Sequence, residues 1–293
     1  MLPDLRAQLG ALLFRRVAGP DGPAVRARIH GTPGARWFGP ERPIRVVHGD
    51  ASMFVGGVSA LLLQSLHPLA MAAVAAHSGY RGDPWGRLQR TSTFLAVTTY
   101  GTAADAQAAV DHVRGIHEKV RGATPDGRPY HAADPHLLRW VHTAETACFL
   151  AAHERYGARP LDPEGYDAYV ADTARVAEAL GVPDPPRDRR ALCERLAAYR
   201  GELEATPEAR SAARFLLLEP PLPLPARPLY GALAANAVTL LPSWARNLLR
   251  LPRVPLVEDL TVRPAGHLLV GAIRWAMRPP AHPDRGPGRD PDP

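Results

Sequence analysis

The sequence predicts an all-α fold in a single globular, multi-helix domain. Hydrophobic residues recur at steps of three and four along most of the chain, and strong strand-like alternation is absent. Aspartate–proline pairs or proline stand where many of these segments begin, and glycine ends several of them. With 293 residues, of which 46% are hydrophobic and 22% charged, the chain is long enough to bury a substantial core.

The first elements surround a long apolar stretch. An amphipathic helix is expected over residues 5–17, followed by a polar connection rich in glycine and proline to about residue 43. Residues 51–80 contain no Asp, Glu, Lys or Arg, which raises a membrane span as an alternative. Because His67 and Pro68 interrupt the apolar run, we instead expect two buried helices with a turn at this pair.

Two further helices carry most of the candidate chemistry. Asp83 and Pro84 predict a helix start with a capping carboxylate, and Gly101 predicts its end. Thr102 can cap the next helix, which we expect to continue to about Arg121.

The rest of the chain repeats these signals. Asp134 and Pro135 begin a long helix that ends at Gly157. Later helices are expected over residues 163–180, 188–205, 207–217, 229–240, 242–249 and 264–277. In domain terms, we expect an N-terminal helix and connection (1–42), a main all-α domain (43–278) and a disordered tail (279–293).

Composition and absent motifs exclude several classes of function. The formal charge of +6 comes from arginines spread along the chain, so no nucleic-acid partner is expected. No phosphate-binding loop, dinucleotide fingerprint or nucleophile elbow is present. The two cysteines are far apart and the N-terminus lacks the pattern of a signal peptide, which predicts a cytoplasmic protein with no stable membrane insertion.

His117 is the strongest single candidate for a site residue. It continues an apolar helix face that includes Val110 and Val113, and a desolvated imidazole stays neutral and can ligate a metal. Four residues later, Arg121 would project from the same side and could pair with a haem propionate. Taken alone, His117 is better explained as a core histidine bonded to a backbone carbonyl. Arg121 is better explained as an arginine that interacts with the carbonyls at a helix end.

Other polar residues form weaker candidates. Arg87 and Thr91 share a helix face and could shape an oxygen-binding side, although a surface arginine and a threonine bonded to its own backbone are the alternative. His142 and Glu145 have the spacing of metal ligands on a helix, but no Glu-x-x-His motif of a di-iron bundle accompanies them.

Taken in order, these motifs resemble one known family. The segments SMFVGGVSALLLQSLHP, DPWGRLQRT, IHEKVRG and GRPYHAADPHLLRWVH are similar to the bacterial and fungal family of latex-clearing rubber oxygenases and MpaB-type oxygenases, over about residues 45–277. The resemblance implies a globin-like helical fold, non-covalent haem b, and activation of dioxygen against a small hydrophobic substrate. By position it implies that His117 is the proximal iron ligand, Arg121 a propionate partner, and Arg87 with Thr91 part of the oxygen side.

The sequence also departs from the rubber oxygenases. Arg90 stands where they place a lysine that serves as a sixth iron ligand, and a guanidinium is a poor iron ligand. The region four turns before Arg87, where they keep a catalytic glutamate, contains Met71 and alanines. His142 belongs to the Trp-Val-His part of the pattern and is expected near the cofactor.

These observations lead to one main hypothesis and two alternatives. The main hypothesis is a bacterial, haem b-dependent oxidoreductase of the oxygenase type. A non-catalytic carrier of haem or a hydrophobic ligand with the same fold is the first alternative, because the lysine and glutamate are missing. A membrane-associated protein anchored by residues 51–80 is the second.

Overall fold

The computed structural model describes residues 2–278, with side chains from residue 6 onward. The tail predicted over 279–293 lies outside the described residues. Within the described range the chain is predominantly helical and has two short strands, so the prediction of an all-α domain is confirmed.

Fifteen helical segments follow one another within the described range. The first seven are α1 (Leu2–Ala18), α2 (Gly22–Gly31), α3 (Pro43–His48), α4 (Met53–Gln64), α5 (Pro68–His77), α6 (Pro84–Tyr100) and α7 (Ala103–His117). A two-stranded antiparallel hairpin follows, β1 (Arg121–Ala123) and β2 (Pro129–His131). The remaining helices are α8 (Pro135–Tyr156), α9 (Pro163–Leu180), α10 (Arg189–Ala198), α11 (Pro207–Leu218), α12 (Arg227–Leu240), α13 (Ser243–Leu248), α14 (Pro255–Val257) and α15 (Arg263–Met277).

Shorter helical turns connect several of these elements. A 3₁₀ turn, Tyr199–Glu202, follows α10, and another, Leu224–Ala226, precedes α12. A π-helical turn, Glu258–Val262, joins α14 to α15. At the other end of the chain, α1 packs against α6 and α15, so the N-terminal helix lies on the main body of the protein.

The pair α4 and α8 forms the centre of the core. At one end, the indole Nε1 of Trp140 donates to the Gln64 carbonyl at 3.1 Å. At the other, a Cβ at Gly56 would lie 3.0 Å from the Cβ of Ala152 and 3.1 Å from a ring carbon of Phe149. The glycine therefore permits the two helices to approach closely, which explains part of the SMFVGG motif as helix packing.

The uncharged stretch 51–80 forms two helices, as predicted. They meet at an angle of 109° on either side of the His67–Pro68 pair, and Leu62, Leu63 and His67 are buried. Among the described residues, no single helix is both long and apolar enough to cross a bilayer. Only α4 and α5 taken together meet those criteria of length and composition, as a bent pair.

The aspartates that predicted helix starts act as caps. The side chain of Asp83 accepts a hydrogen bond from the amide of Gly86 at 2.9 Å, and that of Asp134 accepts one from His136 at 2.8 Å. Each carboxylate thereby satisfies one of the free amides of a first helical turn. The predicted starts of α6 and α8 are confirmed.

Asp50 joins three parts of the chain. Its two carboxylate oxygens accept hydrogen bonds from the Arg274 guanidinium at 2.9 and 3.1 Å, and the amides of Ser52 and Ala158 donate to the same group. These hydrogen bonds lower the pKa of Asp50 despite its burial. The pair anchors α15 to the start of α4 and the end of α8.

Two boundaries in the first half differ from the prediction. Helix α2 lies inside the segment predicted as an irregular connection. Helix α7 ends at His117, whereas the apolar periodicity predicted a helix to Arg121, so that prediction is wrong. After α7, the carbonyl of Val120 accepts from the amide of Ala132 at 2.9 Å, and Arg121 pairs with His131 in the hairpin. The hairpin therefore replaces the expected last helical turn.

Candidate functional site

His117 ends α7 as a half-buried side chain. Its Nδ1 atom is buried and has no hydrogen-bond partner among the described residues. Burial lowers the pKa of His117 below its usual value of 6.5, and the nearby His131 lowers it further through charge repulsion. At neutral pH this side chain is therefore an uncharged imidazole with an unused ring nitrogen, which is the form that ligates metals.

Arg87 places a half-buried guanidinium near the start of α6. Its Nη1 atom donates to the hydroxyl of Ser78, at the end of α5, at 2.6 Å. Burial, and then the charge of Arg90, lower the pKa of Arg87 from its ordinary value, yet an arginine remains protonated at neutral pH. No carboxylate pairs with Arg87 among the described residues, so its positive charge is available to an anionic ligand.

The connection between α6 and α7 places Arg87 and His117 at the same end of this helix pair. Only Gly101 and Thr102 separate the two helices, which pack against each other. In such a helical hairpin, the start of the first helix lies beside the end of the second. Each of the two predicted motifs therefore contributes one site residue to the end of this helix pair that lies away from the α6–α7 turn.

Thr91 and Arg90 are exposed on α6. The hydroxyl of Thr91 donates to the carbonyl of Arg87 at 3.0 Å, which was the alternative raised from sequence. The guanidinium of Arg90 lies 3.3 Å from the carboxylate of Asp83, at the helix start. The contacts of the Thr91 hydroxyl and the Arg90 guanidinium give no sign of a bound ligand. Their roles near the cofactor and the oxygen side stay predictions.

Arg121 also differs from its predicted setting. As the first residue of β1 it is exposed, its Nε donates to the carbonyl of Glu118 at 3.2 Å, and its Nη2 lies 3.6 Å from the carboxylate of that residue. The helix-phase argument that joined Arg121 to His117 fails, because the helix has already ended. Its role beside a propionate stays a prediction, now without that support.

Two titratable groups lie one turn apart on α8. The Nε2 atom of His142 is buried and has no partner among the described residues, and burial lowers the pKa of this residue to about 4. Its Nδ1 is 3.5 Å from the Thr146 hydroxyl. Burial raises the pKa of Glu145 to about 7, since desolvation penalises a carboxylate. The carboxyl group of Glu145 can therefore both accept and release a proton near neutral pH.

A buried polar chain begins next to Glu145. Burial, and then the charge of Glu145, raise the pKa of Tyr169, whose hydroxyl lies 3.4 Å from Nε2 of His48. The Nδ1 atom of His48 lies 2.9 Å from the hydroxyl of Thr99, on α6. Burial lowers the pKa of His48 to about 4, so this histidine is neutral. Four elements, α8, α9, α3 and α6, thus meet at polar groups inside the core.

Sequence reasoning undervalued these buried groups. It considered Glu145 only as a metal ligand and passed over His48 and Tyr169. A usable signal was present for Glu145, because the carboxylate interrupts a run of small and apolar residues in the middle of a long helix. The positions of His48 and Tyr169 carried no comparable signal, since their contact joins residues distant in sequence.

Comparison with known proteins identifies the family. Residues 45–275 match the family described as ER-bound oxygenase mpaB/B'/Rubber oxygenase, catalytic domain. The chain belongs to this family. An uncharacterized protein of Mycobacterium bovis and one of Mycobacterium tuberculosis are each 32% identical to it over 159 residues. That match covers 53% of this chain and 62% of each relative, and no solved structure matches the chain significantly.

Membership of the mpaB/B' and rubber oxygenase family confirms the resemblance found in the sequence and supports an oxygenase-like function. The residues at the shared end of α6 and α7 also fit a haem group. His117 has a buried nitrogen without a partner, and Arg87 has a guanidinium without a carboxylate among the described residues. A porphyrin needs one protein nitrogen for its metal and cations for its carboxylates, which is the donor set present here.

Proposed function

We propose that the protein is a haem b-dependent oxidoreductase of the oxygenase type, which uses dioxygen and acts on a small hydrophobic molecule. The observation that carries the proposal is the neutral imidazole of His117, whose buried ring nitrogen has no partner among the described residues. Bound non-covalently, haem would supply an iron centre for binding and activating dioxygen. Family membership supports the oxygenase chemistry.

Two residues would hold the cofactor. His117 would ligate the iron, because an uncharged imidazole offers a lone pair without first losing a proton. Arg87 would pair with a propionate, because its half-buried charge gains a partner that the described protein does not provide. Arg121 and Arg90 are exposed and already lie near acidic or carbonyl groups, so we propose them as outer contributors at most.

Glu145 would act as the acid or base that gives or accepts a proton during oxidation of the substrate. Its carboxyl group titrates at about pH 7 because it is buried, so it can accept or give up a proton at its Oε atoms under physiological conditions. The family's rubber oxygenases keep their glutamate elsewhere in the sequence, and we propose that Glu145 exchanges its proton through Tyr169, His48 and Thr99, the polar groups that join α8 to α6. His142, one turn away and neutral, would complete the polar part of the site.

The apolar surroundings support a hydrophobic substrate. Helices α4 and α5 carry no charged side chain, and Leu62, Leu63 and Met71 are buried within or beside them. A site beside such an apolar core would favour an uncharged, carbon-rich molecule. The cytoplasmic location stays a prediction from sequence.

A haem titration tests the proposal directly. Adding haemin to the purified protein should produce a Soret band that saturates at about one haem per chain. His117→Ala should lose that band or shift it, with affinity lowered at least tenfold, because an iron ligand is missing. His112→Ala is the matched control, since His112 is an exposed histidine on the same helix. A wild-type protein that yields no Soret band, or identical spectra for His117→Ala and wild type, would contradict the proposal.

Oxygen consumption separates the oxygenase from the carrier. With a reductant and a panel of isoprenoids, the haem-loaded enzyme should consume dioxygen above the rate given by free haem. Glu145→Gln should lower that rate and remove its dependence on pH near 7, while leaving haem binding intact. A haem-loaded protein with no such activity would favour the non-catalytic carrier.

A further inference from the structure

A second group of donor atoms lies apart from the residues of the proposed haem site. One ligand atom each from His67, His136 and Glu202 lies within 4.8 Å of the other two. The carboxylate of Glu202 is 2.7 Å from Nε2 of His136 and 3.6 Å from Nε2 of His67. None of the three residues belongs to the family motifs assigned above to iron or propionate.

His67 is the unusual member of this group. Its side chain is 4% exposed, and neither ring nitrogen makes a hydrogen bond to any described residue. Burial lowers the pKa of His67 even though Glu202 opposes that effect, so the ring stays neutral and able to ligate. Buried polar nitrogens normally have a hydrogen-bond partner. Because the His67 ring lies beside a carboxylate and a second imidazole, a metal ion bound by all three groups would be that partner.

The backbone around the three residues is held by hydrogen bonds that do not involve their ligand atoms. The amide of Glu204 donates to the carbonyl of Leu66 at 2.8 Å, which places the Glu202 segment beside His67. The hydroxyl of Tyr199 donates to the carbonyl of His136 at 2.8 Å, and the two rings are 4.8 Å apart. These contacts bring the three ligand-bearing segments together without a metal.

The donor set and its spacing fit a tetrahedral ion. Two imidazole nitrogens and one carboxylate oxygen are a common set for Zn²⁺, whose bonds of about 2.1 Å place ligand atoms about 3.4 Å apart. The distance from His67 to Glu202 already agrees. The shorter contact between His136 and Glu202 joins two side chains that are 45% and 47% exposed and are free to separate. Their exposure also leaves room for a water molecule as the fourth ligand.

We propose that His67, His136 and Glu202 form a binding site for a divalent transition metal, best suited to Zn²⁺. The ion would link the turn between α4 and α5 to the start of α8 and to the 3₁₀ turn Tyr199–Glu202. None of its ligands contributes to the proposed haem site. The metal site is therefore tested independently of the proposed function.

The test measures Zn²⁺ binding to the full chain after removal of metals with a chelator. Equilibrium dialysis against Zn²⁺, followed by elemental analysis, should give about one tightly bound ion per chain. His136→Ala and Glu202→Gln should each weaken that binding at least tenfold, since each removes a ligand. Both positions are exposed, so the variants should fold, and circular dichroism checks this.

His112→Ala is again the control, because the chain has 12 histidines and an exposed one is a source of non-specific binding. It should bind Zn²⁺ as the wild type does. Thermal unfolding gives a second measurement, in which Zn²⁺ raises the melting temperature of the wild type and of His112→Ala but not of Glu202→Gln. Equal binding by all four proteins, or no tight ion in the wild type, would overturn the proposal.

Discussion

Two polar regions of this protein differ in how their charges are balanced. Around His67, the protein places one carboxylate, that of Glu202, beside two imidazoles. Elsewhere, Arg87 on α6 and Glu145 in the middle of α8 are half-buried, and neither has an oppositely charged partner among the described residues.

The difference indicates what each region can receive. Two imidazoles and one carboxylate suit a bare divalent ion, whose charge the carboxylate partly neutralises. The half-buried guanidinium of Arg87 and the unpartnered nitrogen of His117 suit a larger cofactor that brings its own carboxylates and its own metal ligands, and that needs from the protein one nitrogen and a cation.

The largest effect concerns Glu145 and pH. Its pKa is about 7 in the folded protein against an ordinary 4.5, so the folded state holds this proton more tightly than the unfolded state does. Stability is therefore lost as pH rises from about 4.5 to 7, and the loss above pH 7 amounts to up to about 3 kcal/mol. Glu145→Gln should recover that amount at pH 8 and almost nothing at pH 4.5, as measured by urea unfolding.

Glu202→Gln provides the comparison for this experiment. Because the Glu202 side chain is exposed and bonded to His136, its replacement should bring no comparable gain in stability at pH 8. If the two glutamine variants respond alike to pH, the contrast between the regions is wrong.

The next effect concerns Arg87 and the cofactor. Arg87→Met should weaken haem binding by about 10- to 100-fold, since a charge-assisted hydrogen bond contributes about 1.5–3 kcal/mol. The ligand-free protein should lose no more than about 1 kcal/mol of unfolding free energy, because the hydrogen bond given up is the one to Ser78. Haem titration and urea unfolding of the same variant give both values. If Arg87→Met lowers the unfolding free energy of the ligand-free protein and leaves haem affinity unchanged, Arg87 stabilises the fold and does not bind the cofactor.

The smallest effect is expected at Arg121. Its exposed pairing with Glu118 contributes about 0–1 kcal/mol, so Arg121→Ala should change haem affinity by less than about fivefold. Zn²⁺ binding should be unchanged. A loss equal to that of Arg87→Met would show that the hairpin residue, as the family resemblance implies, is the main partner of the propionate.

The structure also shows which sequence signals were reliable. Helices α6 and α8 begin at the proline that follows a capping aspartate, as predicted, α9 begins at the predicted residue 163, and the ends of all three agree as well. The bend between α4 and α5 was equally predictable, because Pro68 lacks the amide that a continuous helix needs. Each of these signals acts within one or two helical turns of chain.

Other features could not be predicted in this way. The apolar periodicity of α7 continues to Val120, yet the chain leaves the helix at His117, since Arg121 pairs with His131 of β2 and Val120 with Ala132, the residue after that strand. Periodicity reports which face of a helix is buried and carries no information about a competing strand further along. The same limit applies to α2, a helix in a segment whose glycines and prolines favour irregular structure.

The sequence by itself determined the helical class, most helix starts and the family motifs, because caps, prolines and hydrophobic steps act locally. Only the tertiary structure decided that Arg87 and Glu145 are half-buried without a counter-charge among the described residues, and that His67 lies close to His136 and Glu202. Burial and convergence depend on contacts between segments far apart in the chain, and the interior dielectric then sets the pKa values of the groups enclosed there.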